Sequence, residues 1–491
     1  MARFNEVQKP EMIVNRAGGE AFEQSPELAL VSILLTSFMK DQFYRSAQSS
    51  YEDLLEVLCR VDSLFAAKAA VFARNEFGMR TVSHIVAGEI GNSVKGEKWT
   101  KRFFEKVIRR PDDATEILAY IMIKYGRRPI PNSVKRGFIE ALCKFDEYQI
   151  AKYQGKTKKL SLVDVVNLIT GRRSDLIGSE AISKLTRGIL KPAETWETKL
   201  TQAGQEAESV EDLQERKQEV WTNLIKKRKI GYFALLKNLR NILFEAPEVL
   251  DDALDMLVNP NLIRKSLVFP FRYMVAQYEI EKLAEQGIDG ATKVLGAISR
   301  AIDTSLCNVP SLPGKTVVVV DQSGSMYPGF RYNQGAEVPI VTASIFGAAL
   351  AKANGADIVG FSNHANYISY NPADSVLTIA RHIIESGEKS GTDFHSIFHV
   401  LNKSYNRIII LSDEQGWVGY KAPTNDLVAY KRIYKCKPIL YSIDLTGYGD
   451  MQFKENSVVT LAGFSDKIFN LMELAETDLK VLLKRIKEVR I

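Results

Sequence analysis

Asp321, Ser323 and Ser325 stand on alternate residues directly after the run Val317–Val318–Val319–Val320. A carboxylate and two hydroxyls this close supply several hard oxygen donors. Such donors suit Mg²⁺ or another hard divalent cation, which favours octahedral oxygen geometry and tends to keep some waters. Two later stretches can complete the shell. The loop Ser390–Gly391–Thr392–Asp393 offers a third hydroxyl, that of Thr392, and the apolar run Arg407–Ile408–Ile409–Ile410–Leu411–Ser412 ends at the carboxylate of Asp413. A single Asp-Ser turn would be read more simply as a helix N-cap. The three pieces in order point instead to a divalent-cation site.

Asp-x-Ser-x-Ser, a Gly-Thr-Asp loop and a strand-terminal Asp, in that order, resemble the metal-ion-dependent adhesion site of von Willebrand factor A domains. The resemblance implies that Asp321, Ser323, Ser325, Thr392 and Asp413 form the shell, some directly and some through water.

The elements around these residues must bring three loops to one end of a sheet. Four consecutive β-branched residues suit a buried strand of a parallel sheet, and ligands bind outside the carboxyl ends of such strands. Alternating patterns predict strands at 315–320, 356–361, 407–412, 438–443 and 457–461, with helices at 340–353, 374–386, 395–403, 466–473 and 475–489. This alternation implies a doubly wound parallel sheet. Two prolines and a glycine in Val309–Pro310–Ser311–Leu312–Pro313–Gly314 mark a domain boundary, which divides the chain into 1–312 and 313–491.

Before that boundary the apolar residues recur at helical spacing and strand signals are almost absent. Leu28, Val31, Leu34, Leu35 and Phe38 form one such set, and Leu54, Leu55 and Leu58 another, followed by Leu64, Ala67, Val71 and Phe72. Further helices are expected near 80–90, 99–109, 113–124, 133–143, 161–169, 178–190 and 194–226, then at 230–243, 247–258, 261–267, 271–285 and 291–306. The polar stretch 200–220 reads as one long exposed helix. Many short helices without strands suggest stacked pairs, an α-solenoid of the HEAT kind, with no clean repeat period. The fold class is therefore mainly α plus α/β.

A chain of 491 residues predicts two or more domains, and 45% hydrophobic with 25% charged residues is ordinary for a globular protein. No run is apolar enough to span a bilayer, and Met1–Pro10 has no signal-peptide core. The cysteines at 59, 143, 307 and 436 are too scattered for a metal-ligand pair or disulfide framework. They read as reduced core thiols in a cytoplasmic protein.

The net charge of +6 is small, but residues 101–200 hold 21 Lys+Arg against 12 Asp+Glu. Between 124 and 159 stand Lys124, Arg127, Arg128, Lys135, Arg136, Lys144, Lys152, Lys156, Lys158 and Lys159, opposed only by Glu140, Asp146 and Glu147. Such a cluster can neutralise phosphates and release counterions, giving affinity with little sequence information. Tyr125, Tyr148 and Tyr153 are interleaved and could stack on unpaired bases. The competing reading is a set of solvated helix faces with the tyrosines packed inward.

The helical part also carries Asn15–Arg16–Ala17–Gly18–Gly19, the run from Leu118 to Arg128, Ala151–Lys152–Tyr153, Leu239–Arg240–Asn241 and Pro270–Phe271–Arg272–Tyr273. These stretches resemble the TROVE module. A TROVE module before a von Willebrand A domain is the layout of the Ro autoantigen family, found in animals and some bacteria. That resemblance implies a monomeric ring of HEAT-like repeats closed by the A domain. It implies Y RNA on the outer surface and single-stranded 3′ ends of misfolded RNA in a central hole. It further implies a scaffold of RNA quality control rather than an enzyme, with an exoribonuclease partner such as polynucleotide phosphorylase. Lys152 and Lys156 fall where the family places basic Y-RNA contacts. The family's Ser-His step is here Ser161–Leu162, so one contact is missing. The RNA-binding set expected is Lys124, Arg127, Arg128, Lys135, Arg136, Lys152, Lys156, Lys158 and Lys159.

Other motifs lead elsewhere or nowhere. Pro313–Gly314–Lys315–Thr316 resembles the end of a P-loop but precedes its strand and lacks the first glycine. Gln322–Ser323–Gly324–Ser325 is not a Gly-x-Ser-x-Gly elbow. His395 and His399 have the spacing of zinc-helix histidines without the glutamate and read as ordinary helix residues. His364 reads as a loop residue after a strand, and His84 as a satisfied core histidine. A hydroxyl-rich metal shell without a nearby general base is a poor catalytic set, which argues against a Mg²⁺-dependent hydrolase. The remaining alternative to an RNA scaffold is a protein-interaction adaptor that acts through the A domain.

Overall fold

The computed structural model describes residues 12–36, 45–126, 129–154, 159–327, 338–419, 422–454, 458–463, 467–476 and 480–491. They fall into two compact units. One consists of Met1–Thr36, Lys40–Ser50 and Trp221–Leu482, the other of Ser37–Met39, Tyr51–Val220 and Leu483–Ile491. The break near 312 expected from the prolines runs through the first unit.

That first unit is built on a mostly parallel sheet. In chain order the strands among its described residues are β1 (Met12–Val14), β2 (Glu20–Glu23), β3 (Thr316–Asp321), β4 (Asp357–Phe361), β5 (Ala365–Ile368), β6 (Arg407–Ser412), β7 (Ile439–Asp444), β8 (Asp450–Met451) and β9 (Val459–Ala462). Six of them form one sheet in the order β5-β4-β3-β6-β7-β9. All neighbours are parallel except β4 and β5, which are joined by a tight turn through His364. β3 and β6 lie at the centre with every residue buried, as continuous apolar runs require when helices cover both faces.

Different elements seal the two faces. On one, Phe361, Phe394, Phe398, Tyr430 and Phe453 pack around the valines and isoleucines of β3, β4 and β6. On the other, the buried helix Pro339–Asn354 crosses so closely that a Cβ on Gly347 would come within 3.0 Å of Val320. The helical part of the unit joins this layer through aromatic stacking. The Phe271 ring lies 5.4 Å from Phe346, and Phe469 stacks on both Phe346 and Phe269. Pro270–Phe271–Arg272–Tyr273 is therefore a packing motif, with the Tyr273 hydroxyl 2.7 Å from that of Tyr232.

β1 and β2 form an antiparallel hairpin that β8 extends, a second sheet that contradicts the nearly strand-free reading of the N-terminal region. The helix Thr424–Ile433, also unforeseen, buries only Leu427 and Tyr430.

The second unit is helical. Thr81–Ser93 packs against Pro111–Tyr125 so tightly that a Cβ on Gly88 would lie 2.2 Å from the Tyr120 ring. Thr100–Val107 and Asn132–Leu142 meet in the same way at Gly137, which faces the Lys101 carbonyl and Phe104. Glycine at these crossings lets two backbones approach where a side chain would hold them apart. The expected long helix over 200–220 is broken into Trp196–Glu206 and a helix starting at Val210. Between them Ser209 Oγ accepts the Asp212 N–H, starting the second helix afresh.

The four cysteines are free thiols, but the core placement is corrected. Cys59, Cys143 and Cys307 are exposed and Cys436 is half-buried. Among the described residues no helix is long and apolar enough to cross a membrane.

Candidate metal centre and candidate nucleic-acid interface

Asp321 closes β3 with its side chain fully buried. Its Oδ1 accepts the Ser323 N–H at 2.9 Å and its Oδ2 accepts the Ser412 hydroxyl at 2.5 Å. The hydroxyls of Ser323 and Ser325 lie 3.2 Å apart in the short 3₁₀ turn that follows. That turn is laced to the next loop, where Gly324 N–H donates to Ser390 O and Lys389 N–H donates to Gln322 O. Thr392, also buried, accepts the N–H groups of Trp417 and Val418 through its carbonyl, which ties it to the segment after β6. Asp413 begins that segment. The structure thus gathers all three pieces of the expected shell at the carboxyl ends of β3 and β6.

The electrostatics of this corner are one-sided. Burial pushes the Asp413 carboxyl well above the usual carboxylate range. The neighbouring Asp321 charge adds to the push, while Ser325 and the Gln415 N–H oppose it only in part. Burial raises Asp321 likewise, against hydrogen bonds from Ser323 and Ser412. Asp413 Oδ2 is buried and has no hydrogen-bond donor among the described residues. Two buried carboxyls with hydroxyl and amide donors leave charge uncompensated, a costly arrangement for anions on their own.

Behind them lies a second set of acids that the sequence reading passed over. Glu414 sits in left-handed backbone at φ 61°, with its carboxylate accepting from the Ser442 hydroxyl and the Gln452 N–H. Asp450 accepts from Gln415 Nε2 at 2.6 Å. Asp444 accepts the N–H groups of Thr446 and Gly447 through Oδ1, while Oδ2 has no donor among the described residues. Burial pushes Glu414 to about 7 and Asp450 to about 8. The sequence signal was there, since Asp444 ends β7 as Asp413 follows β6. The Asn15–Gly19 turn closes over this set, with Asn15 Nδ2 donating to Gly416 O at 2.5 Å and Arg16 N–H donating to Gln415 Oε1 at 2.9 Å. The first of the family-like stretches is therefore a clasp on the loop after β6.

The basic segment lies on the helical unit, and its members differ. Lys124 donates to Glu89 Oε1 at 2.8 Å, and Glu89 also takes the hydroxyls of Tyr120 and Tyr125. Burial alone would lower the Lys124 pKa, but the Glu89 carboxylate more than reverses this and raises it. Lys144 is held by Glu105 in the same manner. Lys135 is half-buried and Arg136 exposed on the helix Asn132–Leu142. Lys152, at the end of Glu147–Lys152, lies over the rings of Tyr148 and Tyr153 at 5.9 and 5.7 Å. Arg110 covers Tyr153 at 4.2 Å, so that ring is partly occupied, whereas Tyr148 is 48% exposed. Lys159 is exposed. Arg127, Arg128, Lys156 and Lys158 lie outside the described residues. Leu162, in place of the family's histidine, is fully buried beneath the Ser161–Asp164 capping box. His84 is buried and meets Asp113 Oδ1 at 3.0 Å, while His395 and His399 are more than ordinary helix residues because both contact Asp426.

Residues 172–311 match the TROVE domain model. Leu239–Asn241 and Pro270–Tyr273 lie inside that match, and the earlier family-like stretches lie before it. Among curated proteins the chain is similar to telomerase protein component 1 of Rattus norvegicus, 22% identical over 139 residues. That alignment takes in 26% of this chain and 5% of the relative's length. Among solved structures it is similar to the Deinococcus radiodurans Ro (RSR) protein, with a TM-score of 0.59 at 16% identity over 95% of this chain and 100% of the other. The likeness supports the same fold plan of helical repeats with a von Willebrand A-like α/β domain. The chain thus carries a match to the TROVE domain over 172–311, within a fold similar to that of the Deinococcus Ro protein.

Proposed function

We propose that this protein is an RNA-binding scaffold of non-coding RNA quality control. The TROVE domain match over 172–311 and the Ro-like fold support an RNA-binding role. The observation that carries the reading further is exposed Lys152 over the half-exposed ring of Tyr148, with Arg136 and Lys159 also exposed in the same basic segment. Cations of this kind meet phosphates, and an accessible tyrosine offers a stacking face for an unpaired base. The ligands that fit are a small structured Y-like RNA and the single-stranded 3′ ends of misfolded RNA, handed to an exoribonuclease.

In the α/β domain, Asp321, Ser323, Ser325, Thr392 and Asp413 would hold a divalent cation such as Mg²⁺. The donor set is all hard oxygen, and the donorless Asp413 Oδ2 supports the fit. A bound cation would supply positive charge between two buried carboxylates and organise the loops after β3 and β6. Glu414, the acid that follows Asp413 in the chain, is engaged by Ser442 and Gln452, which favours a binding and scaffolding role over hydrolysis.

The test is purification from the native host at low salt, with sequencing of the nucleic acid that accompanies the protein. Small structured RNA near one per chain, lost with Lys152→Glu plus Lys156→Glu, is the expected result. Protein free of RNA under those conditions would replace this reading with the adaptor, and RNA cleavage lost in Asp413→Ala would replace it with an enzyme.

A further inference from the structure

The helical unit carries a groove of about 1160 Å³ between the helices Thr81–Ser93, Pro111–Tyr125 and Leu162–Thr170. Its floor is aliphatic. Met122, Ile123, Ile130 and Leu168 line it, with Ile123 85% and Leu168 44% exposed. Exposing an isoleucine and a leucine to water along one groove gains nothing for folding, and an apolar patch with a polar rim marks an interaction site. Three cations, Lys95, Lys159 and Arg172, stand on the exposed rim. The one lining carboxylate, Asp164, is already taken by the N–H and hydroxyl of Ser161.

We infer that this groove docks an amphipathic helical segment of a partner protein, its apolar face flanked by Asp and Glu. A helix laid in a groove is read through anchors spaced three and four residues apart, and an aliphatic floor with a methionine adapts to such side chains. The rim charge selects acidic flanks. Nucleic acid fits less well, because bases are captured by aromatic faces and Tyr125, the one aromatic lining the groove among the described residues, already carries Lys124 over its ring at 5.4 Å. The groove shares only Lys159 of its rim with the cations assigned to RNA, and its aliphatic floor contains none of them.

A phage-displayed library of 16-residue peptides, panned on the purified full-length chain, tests it. The expected winners carry apolar residues at helical spacing with acidic flanks. As free peptides they should bind Ile123→Glu about tenfold more weakly than wild type, a hot-spot-sized loss. Lys95→Glu should weaken them about threefold and flatten the salt dependence, a rim charge being worth less than a buried anchor. Lys159 doubles as an RNA candidate and is left unchanged for that reason. Ile123 is largely in water, so Ile123→Glu should melt with wild type, and Leu168→Glu repeats the test at the far side. Winners that ignore both substitutions, or that are not acidic, would overturn the inference. So would a fluorescent oligouridylate 16-mer that loses as much affinity to Ile123→Glu as the peptides do, because the groove would then belong to RNA.

Discussion

Ser412 gives its hydroxyl to Asp321 Oδ2 at 2.5 Å, joining the ends of β6 and β3. With Ser323 N–H on Oδ1, both oxygens of Asp321 already accept a hydrogen bond, whereas Asp413 Oδ2 accepts none among the described residues. Of these two, Asp413 is thus the carboxylate more open to a cation. Mg²⁺ at about 100 times its Kd should stabilise the fold by about 2.7 kcal/mol, read as a rise in melting temperature by calorimetry. Asp413→Ala should lose that rise. In EDTA the order reverses, and Asp413→Asn should melt above wild type because a like charge beside Asp321 has gone. An equal Mg²⁺ response in wild type and Asp413→Ala would remove the cation from this site.

Asp113 anchors the helical unit. Its Oδ2 accepts from Arg74 Nη2 at 2.7 Å and from the N–H groups of Arg109 and Arg110, and its Oδ1 accepts from Arg80 and His84. Burial alone would raise its pKa, but His84 and Arg74 hold it well below the ordinary 3.8. A depressed carboxyl stabilises the fold above its unfolded pKa and loses that contribution as pH falls through the folded value. Asp113→Asn leaves the buried Arg74 without its counter-charge and should cost about 3–5 kcal/mol at neutral pH. The gap to wild type in urea melts should narrow only below about pH 4. A gap already closing at pH 6 would mean that another group controls it.

What could be read from the sequence followed the strength of local patterns. β3 and β6 announce themselves as uninterrupted β-branched runs, and their loops carry the metal-site residues in order. The hairpin β1–β2 has only three- and four-residue strands, MIV and EAFE, and exists because Phe22 and Glu23 pair with β8 more than 400 residues later. No local window contains that pairing. The helix Thr424–Ile433 buries two residues, too few for a periodic signal. Glu414, Asp444 and Asp450 each look like isolated acids in sequence, and only the parallel register of β6 with β7 gathers them. In the basic segment, the charge excess was visible but its pairing was not, since Glu89 and Glu105 come from helices that precede it.

Gly19 should tolerate no side chain. A Cβ there would lie 2.1 Å from the Gly416 carbonyl oxygen and 2.6 Å from Trp417 Cα, and both obstacles are backbone. Gly19→Ala should therefore lift the Asn15–Gly19 clasp off the loop after β6 and cost about 1–3 kcal/mol. Hydrogen exchange read at 415–418 would show faster exchange in the variant. Unchanged protection there would mean the clasp does not hold that loop.

Lys124 and Lys152 are both cations near tyrosines, yet they should behave oppositely. Lys124 is the partner of Glu89, which also takes two tyrosine hydroxyls, so Lys124→Ala should lower stability by about 1 kcal/mol and leave RNA affinity nearly unchanged. Lys152 has no carboxylate partner among the described residues and projects over Tyr148 and Tyr153. Lys152→Ala should preserve the melting temperature and weaken RNA binding. Because each neutralised phosphate releases counterions, the slope of log K against log salt should become shallower by about 0.7–0.9. Fluorescence anisotropy with the co-purified RNA across a KCl series measures both variants. Equal losses in the two would show that the Glu89 cluster opens on binding, and a loss in Lys124→Ala alone would move the interface to the helix Pro111–Tyr125.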